Sequence, residues 1–139
     1  MRIQVKQSWR DKIYNPVKVT KILRSILSEE SEIDQDKEHF WVFGLTNSNV
    51  IKYIDLVSLG TLDKTMCEPR EVFRLAVMKG VKAIIIAHNH PSGDTVPSND
   101  DIQSSKMLID AGNILKIKVL DNIIVSEDGY WSASEAGMI

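Results

Sequence analysis

Hydrophobic residues recur with helical spacing in three stretches of the chain and form short unbroken runs in several others. Each helical stretch opens on a start signal, either a side chain that can cap the helix or a proline suited to its first turn. Apolar residues then follow at the spacing of a helix with one buried face. We expect helices to begin at Asn15-Pro16, at Glu68-Pro69 and at Ser98, and the last two to close at Gly80 and, after about Asp110, at Ala111-Gly112.

Runs of branched and aromatic residues predict the strands. The segment Glu38–Leu45 is too apolar for a strand with one solvent-exposed face, so we expect other elements to cover it on both faces. Residues 28–37 form a polar, acidic connector without chemistry of its own. The predicted fold class is α/β (α+β), with a mixed central β-sheet flanked by about three helices. The other expected strands are a short edge strand at Ile3 and Val5, then Val50–Leu59, Val81–Ala87, Ile117–Leu120 and Ile123–Ser126, with a hairpin turn at 127–129 into Tyr130-Trp131.

Length and composition are those of one globular domain, which we expect to span residues 1–139. The formal net charge of -2 argues against strong non-specific affinity for nucleic acid, although it leaves room for a local basic patch. The single cysteine, Cys67, excludes an internal disulfide and fits a reducing compartment. The first residues lack the apolar core of a signal peptide and no window is long enough to span a membrane, so we expect a cytoplasmic protein.

Two histidines lie two residues apart at the end of the apolar run 81–87. In an extended strand, residues i and i+2 point to the same side, so His88 and His90 can face one point in space. A loop of turn residues follows, after which Ser98 opens a helix whose first turn contains Asp101. Two imidazoles and one carboxylate have the composition of a catalytic zinc site that keeps its fourth position open for water.

Each of these residues also has a simpler explanation. Histidines at a strand end are commonly structural, so an H-x-H pair alone is a weak signal. With Ser98 as the N-cap, Asp101 falls at the third helical position, from which its carboxylate can reach back to the backbone N–H of Ser98. The two roles of Asp101 are compatible, because one carboxylate oxygen can bind a metal while the other is held by backbone donors.

The joint pattern is far more specific than its parts, because H-x-H-P-x-G-x-x-x-P-S-x-x-D fixes seven of fourteen positions. It resembles the JAMM motif of the MPN/JAB superfamily of zinc hydrolases. The wording H-N-H-P-S-G-D, the upstream segment 69–74 and the downstream segment 119–125 are similar to the RadC-type branch of that superfamily, and the resemblance extends over residues 16–135. The matched residues are His88, His90, Pro91, Gly93, Pro97, Ser98 and Asp101.

This resemblance implies a cytidine-deaminase-like JAB/MPN fold and one Zn²⁺ per chain, bound by His88, His90 and Asp101. It implies that Ser98 donates a hydrogen bond to the developing oxyanion and that a glutamate on an early strand acts as general acid/base. Glu38 lies at the start of the first strongly predicted strand, 38–45, and so matches the position of that glutamate. A carboxylate is needed there because it must take a proton from the attacking water and deliver it to the leaving nitrogen. The implied substrate is a peptide or protein.

Three functions are open at this stage. The resemblance favours a zinc metallopeptidase or isopeptidase, whereas the historical label of the RadC-type branch suggests a DNA-repair or recombination role on or near nucleic acid. The third is a metal-free interaction domain, although such members typically lose the histidines or the aspartate. The branch usually has Asp-His where this chain has Asp121-Asn122, and longer members carry a helix-hairpin-helix segment for which we expect no room before Asn15-Pro16.

Three further features are interpreted as structural or as determinants of specificity. His39 follows Glu38 in a strand and therefore points to the opposite face. Cys67 is interpreted as a small apolar residue near a helix start, even though zinc accepts thiolate ligands. We expect substrate specificity to depend on the loops around the groove, namely Gly60–Glu68 and Gly93–Val96.

Overall fold

The computed structural model describes residues 1–11, 15–60 and 67–139, to which the structural statements below refer. It confirms the predicted α/β (α+β) class, with six strands in one mixed sheet and four α-helices in these ranges. In chain order the elements are β1 (Arg2–Ile3), a 3₁₀ turn (Gln7–Trp9), α1 (Pro16–Ser28), α2 (Glu32–Gln35), β2 (Glu38–Leu45), β3 (Ile51–Gly60), α3 (Pro69–Lys79), β4 (Ala83–Asn89), α4 (Asn99–Leu115), β5 (Lys118–Val125) and β6 (Tyr130–Ser132).

The sheet has the strand order β1-β3-β2-β4-β5-β6. All neighbouring strands are antiparallel except β4 and β5, which run parallel. A parallel pair needs a long crossover connection, and α4 supplies it. The strand β4 therefore lies in the middle of the sheet, and the loop after its C-terminal end leads directly into α4.

Helices cover both faces of the sheet. On one face, the buried residues of α1 pack in one cluster with Trp41, Phe43 and Leu45 of β2. On the other face, α3 and α4 pack in a second cluster with Phe40 and Val42 of the same strand. This alternation confirms that β2 is covered on both sides. No helix within the described ranges is both long and apolar enough to cross a membrane.

The predicted starts of the three long helices are confirmed. Asn15 caps α1 by accepting hydrogen bonds from the backbone N–H groups of Val17 and Lys18. Pro69 is the first residue of α3, where its missing N–H costs nothing. Gly80 ends this helix with a φ of 65°, in the left-handed region that favours glycine.

The predicted end of the last helix was wrong, because α4 continues past Ala111-Gly112 to Leu115 and ends at Lys116. A glycine near the end of a helical pattern commonly marks a stop. Here Gly112 lies inside the helix for a packing reason: a Cβ at this position would lie 2.4 Å from the carbonyl oxygen of Ile117. The glycine allows the chain to return closely over the helix on its way into β5.

The prediction of two separate strands after α4 was also wrong. One continuous strand, β5 (Lys118–Val125), takes up most of both predicted segments, 117–120 and 123–126, and Asp121 and Asn122 are buried within it. The carboxylate of Asp121 accepts hydrogen bonds from the hydroxyl of Ser132 at 2.6 Å, from the N–H of Ser134 at 3.0 Å and from the N–H of Asn122 at 2.8 Å. The carboxylate of Asp121 is therefore satisfied within the fold, and this polar residue does not interrupt the strand.

The polar connector 28–37 contains the short helix α2 and one buried contact that the sequence did not indicate. Oε2 of Glu30 lies 2.5 Å from Nε2 of His39, and the His39 ring stacks on Trp41 with 5.0 Å between centroids. His39 is buried on the α1 side of the sheet. This placement agrees with its interpretation as a structural residue.

Candidate metal centre

The strand β4 and the first turn of α4 bring together the three side chains predicted as metal ligands. His88 lies near the end of β4, opposite Phe40 of β2, and the two rings stack with 6.2 Å between centroids. His90 follows the strand, and its backbone N–H donates to the carbonyl of Val125 at 2.9 Å. Both imidazoles lie on the face of the sheet that α4 covers, where Asp101 meets them.

The loop after β4 folds back onto the His90 ring. The N–H of Gly93 donates to the carbonyl of His90 at 3.0 Å, and the φ of 92° at this position favours glycine. The carbonyl of Asp94 then accepts a hydrogen bond from Nδ1 of His90 at 2.7 Å. This bond places the proton on Nδ1 and turns Nε2 toward Asp101, the arrangement typical of a metal-ligating histidine.

Ser98 and Asp101 form the predicted capping box at the start of α4. Oγ of Ser98 accepts from the N–H of Asp101 at 3.0 Å, and Oδ2 of Asp101 accepts from the N–H of Ser98 at 2.9 Å. Asp101 is buried, whereas Ser98 is exposed. The helix start therefore holds the carboxylate in place and leaves the serine hydroxyl accessible to a substrate.

The three side chains are spaced like ligands of one ion. Nε2 of His88 lies 3.2 Å from Nε2 of His90 and 3.3 Å from Oδ1 of Asp101, and Nε2 of His90 lies 3.2 Å from Oδ2 of Asp101. Ligand atoms about 2.0–2.1 Å from a tetrahedral metal lie about 3.3–3.4 Å from one another. The two histidines have this spacing to each other and each to a different carboxylate oxygen of Asp101, and one ligand atom from each of the three residues lies within 4.8 Å of the others. Over residues 1–11, 15–60 and 67–139, these three form the one group of metal-ligating side chains that converges in this way.

The charges of the cluster favour an ionised carboxylate. Burial acts to raise the pKa of Asp101, but hydrogen bonds from His88 and His90 outweigh it and hold that pKa well below its usual range. The pKa of His90 is raised, chiefly by its hydrogen bond to Asp101, and the charge of Glu38 acts in the same direction. An anionic ligand held between two imidazole nitrogens is suited to a divalent cation.

Glu38, the predicted general acid/base, lies at the rim of the cluster. It is the first residue of β2 and is half-buried. Phe40 pairs with His88 in the antiparallel β2–β4 ladder, so the same register continued by two residues brings Glu38 beside His90. Because residues two apart on a strand share a face, the Glu38 side chain lies on the face of the imidazoles. Its contribution to the raised pKa of His90 agrees with this proximity.

A small cavity adjoins His88 beneath the three candidate metal ligands. Its volume is about 10 Å³, measured as the space that the centre of a water molecule can occupy, and this is enough for one water molecule. Four buried atoms of the lining make no hydrogen bond to the described protein groups: Nδ1 of His88, Oγ of Ser104, Oγ of Ser105 and Oδ1 of Asn122. Their number matches the two to four polar partners that a buried water requires. Asn122, which departs from the usual histidine of the RadC-type branch, therefore lies in the layer behind a predicted ligand.

Sequence reasoning did not single out Ser104 and Ser105. They follow Asp101 by three and four residues, so all three lie on the inward face of α4. Two small polar residues on the buried face of a helix, one turn after a candidate ligand, were the available signal.

We expect Asn122→Leu to weaken zinc binding by about 10- to 100-fold, the usual cost of losing a group behind a ligating histidine. The leucine replaces the amide at position 122 by an apolar group, so the cavity beside Nδ1 of His88 loses one of its four polar lining atoms. Competition with a chromogenic zinc chelator measures the effect. Leu108→Met, a volume-conserving change in the same cavity, is the control. Equal zinc affinities of the Asn122→Leu variant and the unmodified protein would contradict the prediction.

The other sequence candidates lie apart from the cluster or outside the described residues. Cys67 is buried in the apolar cluster beside α3, and burial raises its pKa to about 12. Its thiol stays protonated at neutral pH, which agrees with its interpretation as an apolar residue. Of the two loops expected to determine specificity, Gly93–Val96 is the one that folds over His90, whereas residues 61–66 of the other lie outside the described ranges.

Comparison with known proteins gives consistent matches. The sequence model of a family described as RadC-like JAB domain matches residues 13–138. A UPF0758 protein of Caldanaerobacter subterraneus is 46% identical over 101 residues, which cover 73% of this chain and 43% of that protein. A UPF0758 protein of Syntrophomonas wolfei is 39% identical over 127 residues, which cover 91% and 54%. The chain thus spans about half the length of the curated relatives it matches.

Proposed function

Because the chain belongs to the family of RadC-like JAB domains, we propose that it is a zinc-dependent hydrolase that cleaves an amide or isopeptide bond in a peptide or protein. The observation that carries the proposal is the convergence of His88, His90 and Asp101 within ligand distance of one another. Half-buried Glu38 and exposed Ser98 lie at the edge of the same cluster. The site therefore has the ligands, a base and a hydrogen-bond donor on one face of the sheet.

Zinc suits the donor set of two imidazole nitrogens and one carboxylate. His88, His90 and Asp101 would hold it. When bound, it lowers the pKa of a water molecule to about 7 and polarises the scissile carbonyl. The hydrogen bond from His90 to the carbonyl of Asp94 and the capping box at Asp101 keep two of the three ligands in place for it.

Glu38 is the proton carrier of the proposed reaction. Its carboxylate takes one proton from the attacking water while the water oxygen bonds to the carbonyl carbon of the substrate. It then returns this proton to the leaving nitrogen as the C–N bond breaks, which yields one carboxyl and one amine product. The hydroxyl of Ser98 donates a hydrogen bond to the carbonyl oxygen as negative charge develops there. Oγ of Ser98 already accepts from Asp101, so its O–H stays available as a donor.

The surroundings of the site favour a peptide over a nucleic acid. Besides Asp101, three carboxylate side chains belong to the start of β2, the loop after β4 and the first turn of α4, at Glu38, Asp94 and Asp100. Negative charge at this density repels a phosphate backbone. A groove of about 340 Å³ adjoins His90 and Pro91 on the α1 side of the sheet, and His88, Asp101, Ser98 and Glu38 are not part of its lining. Its other lining residues are Arg24, Leu27, Ser28, Gln35, Asp36, Asn89, Val125, Ser126 and Glu127.

The decisive experiment combines metal analysis with an unbiased hydrolysis screen. We expect the purified protein to bind one zinc per chain and to cleave members of a tryptic peptide library or lysine-isopeptide conjugates, with new termini detected by mass spectrometry. Removing the metal with a chelator should abolish cleavage, and one equivalent of zinc should restore it. Nicking of supercoiled plasmid, measured in parallel, should be absent.

Two outcomes would overturn the proposal. The first is cleavage that is equal in the zinc-loaded and metal-free protein, or absent from both. The second is zinc-dependent nicking of the plasmid without peptide cleavage, which would move the reaction to phosphodiester chemistry at the same metal.

A further inference from the structure

We propose that Asn89 is a positioning residue that fixes the general acid/base Glu38 relative to the metal ligands. This inference rests on the proposed function, because it assigns Asn89 a role through Glu38. Asn89 lies between His88 and His90 in sequence, and its side chain points to the other face of the sheet. It is buried, with 3% of its surface exposed.

The side chain of Asn89 hydrogen-bonds to the backbone on both sides of Glu38. Oδ1 of Asn89 accepts from the N–H of His39 at 2.6 Å, and Nδ2 of Asn89 donates to the carbonyl of Lys37 at 3.0 Å. These two groups belong to the two peptide units that flank the Cα of Glu38. One amide side chain therefore restrains both backbone dihedrals of the base. Asn89 is adjacent in the chain to both histidines. Its two hydrogen bonds therefore fix the backbone of Glu38 relative to His88 and His90.

A second set of contacts holds the same segment from the other direction. The carbonyl of Lys37 also accepts from Nδ1 of His39 at 2.8 Å, which uses its second lone pair. Nε2 of His39 lies 2.5 Å from Oε2 of Glu30. The segment Lys37–His39 is therefore fixed by side chains from β4 and from the connector before β2. Glu38, between them, extends from a rigid backbone toward the metal cluster.

Rigid placement of a base matters because proton transfer depends steeply on distance. A misplacement of about 1 Å at a catalytic group can cost about 100-fold in rate. A buried asparagine could serve the fold alone, as other satisfied buried polar groups do. The two roles differ in one respect: only a positioning residue loses its effect once Glu38 has been disabled.

The test compares Asn89→Ala, Glu38→Gln and their double variant with a matched control. The control is Ser132→Ala, because Ser132 is also buried and also makes two side-chain hydrogen bonds, to Asp121 and to the N–H of Glu135, neither of which involves a metal-ligand residue or the segment Lys37–His39. Asn89→Asp keeps the acceptor for His39 and removes the donor to Lys37. It provides a conservative second variant if the alanine variant folds poorly. The substrate is a peptide that the unmodified zinc-loaded protein cleaves in the screen described above.

We expect Asn89→Ala to lower kcat by about 100-fold, with KM and the zinc dissociation constant each changed by less than about threefold. In the double variant, Asn89→Ala should cause no further loss beyond that of Glu38→Gln, because residues that act as a unit are not additive. In the metal-free protein, hydrogen exchange of the His39 amide should accelerate by about tenfold or more in Asn89→Ala as its acceptor is lost. Ser132→Ala should change none of these quantities, and Asn89→Asp should fall between the alanine variant and the unmodified protein.

Multiplicative losses in the double variant would overturn the inference, because they would show that Asn89 acts independently of Glu38. Loss of zinc from Asn89→Ala, or an unchanged kcat, would overturn it as well. Failure of the proposed function gives a different result: the unmodified protein would then cleave no peptide in a zinc-dependent way. The exchange of the His39 amide would still report the contact with Asn89, and unchanged exchange in Asn89→Ala would overturn it.

Discussion

Replacing Glu38 by glutamine is expected to lower the kcat of the zinc-loaded protein by about 10²–10⁴-fold, the usual contribution of a general acid/base. Glutamine keeps the length of the side chain and can still hydrogen-bond to a water molecule, but it cannot take a proton at neutral pH. Glu38 is not one of the three converging ligands, so zinc content should stay at one per chain. Initial rates on a cleaved peptide and metal analysis of the same sample measure both quantities.

The matched control for this variant is Glu32→Gln in the short helix α2. Glu32 carries the same charge a few residues upstream and is exposed, so the control changes net charge equally without touching the site. Its kcat should lie within about twofold of the unmodified protein, as expected for an exposed surface carboxylate. A Glu38→Gln variant with unchanged kcat would remove Glu38 from the mechanism and would require another base.

The second large effect is expected for Asp101→Asn, which should lose stoichiometric zinc. The asparagine replaces the anionic ligand by a neutral amide, so its effect on affinity should exceed the 10- to 100-fold that follows the loss of a partner behind a ligand. Helix capping should survive, because an amide oxygen can still accept from the N–H of Ser98 as Oδ2 of Asp101 does now. The free energy of unfolding of the metal-free protein should nevertheless fall, because the lowered pKa of Asp101 means that its ionised carboxylate stabilises the folded state.

The neighbouring residue Asp100 supplies the control. It lies in the same first turn and carries the same charge, but it is exposed and does not belong to the converging group. Asp100→Asn should bind zinc with an affinity within about threefold of the unmodified protein. Calorimetric zinc titrations and urea unfolding of both variants separate the two roles of Asp101. Retained stoichiometric zinc in Asp101→Asn would contradict its assignment as a ligand.

Residues whose role depends on local pattern were predictable from the sequence. The starts of α1, α3 and α4 follow from capping and proline signals that act over a single turn. The separation of His88 and His90 by one residue determines that they share a face, whatever the rest of the fold. The capping box at Ser98 and Asp101 is equally local, and its two hydrogen bonds are present.

Residues whose role depends on distant partners were not predictable. Gly112 suggested a helix end, but its purpose is set by the carbonyl of Ile117 packed against it. Asn89 contacts residues 50 and 52 positions away, and nothing in H-N-H indicates which backbone groups its amide will meet. The cavity that joins Asn122 to His88 exists because β4 and β5 pair in parallel beneath α4. Such neighbours are created by the topology and leave no periodic signal in the chain.

The central position of β4 has a kinetic consequence for metal exchange. This strand is hydrogen-bonded to β2 on one side and to β5 on the other, so it can open only together with much of the sheet. The first turn of α4 is a helix terminus held by two reciprocal side-chain contacts, and it can fray at far lower cost. His88 is therefore held in place whenever the sheet is intact, whereas Asp101 can move away when the first turn of α4 unwinds. Zinc should leave and enter through brief unwinding of that turn, at a rate that Ser98→Ala accelerates and substitutions within the sheet do not.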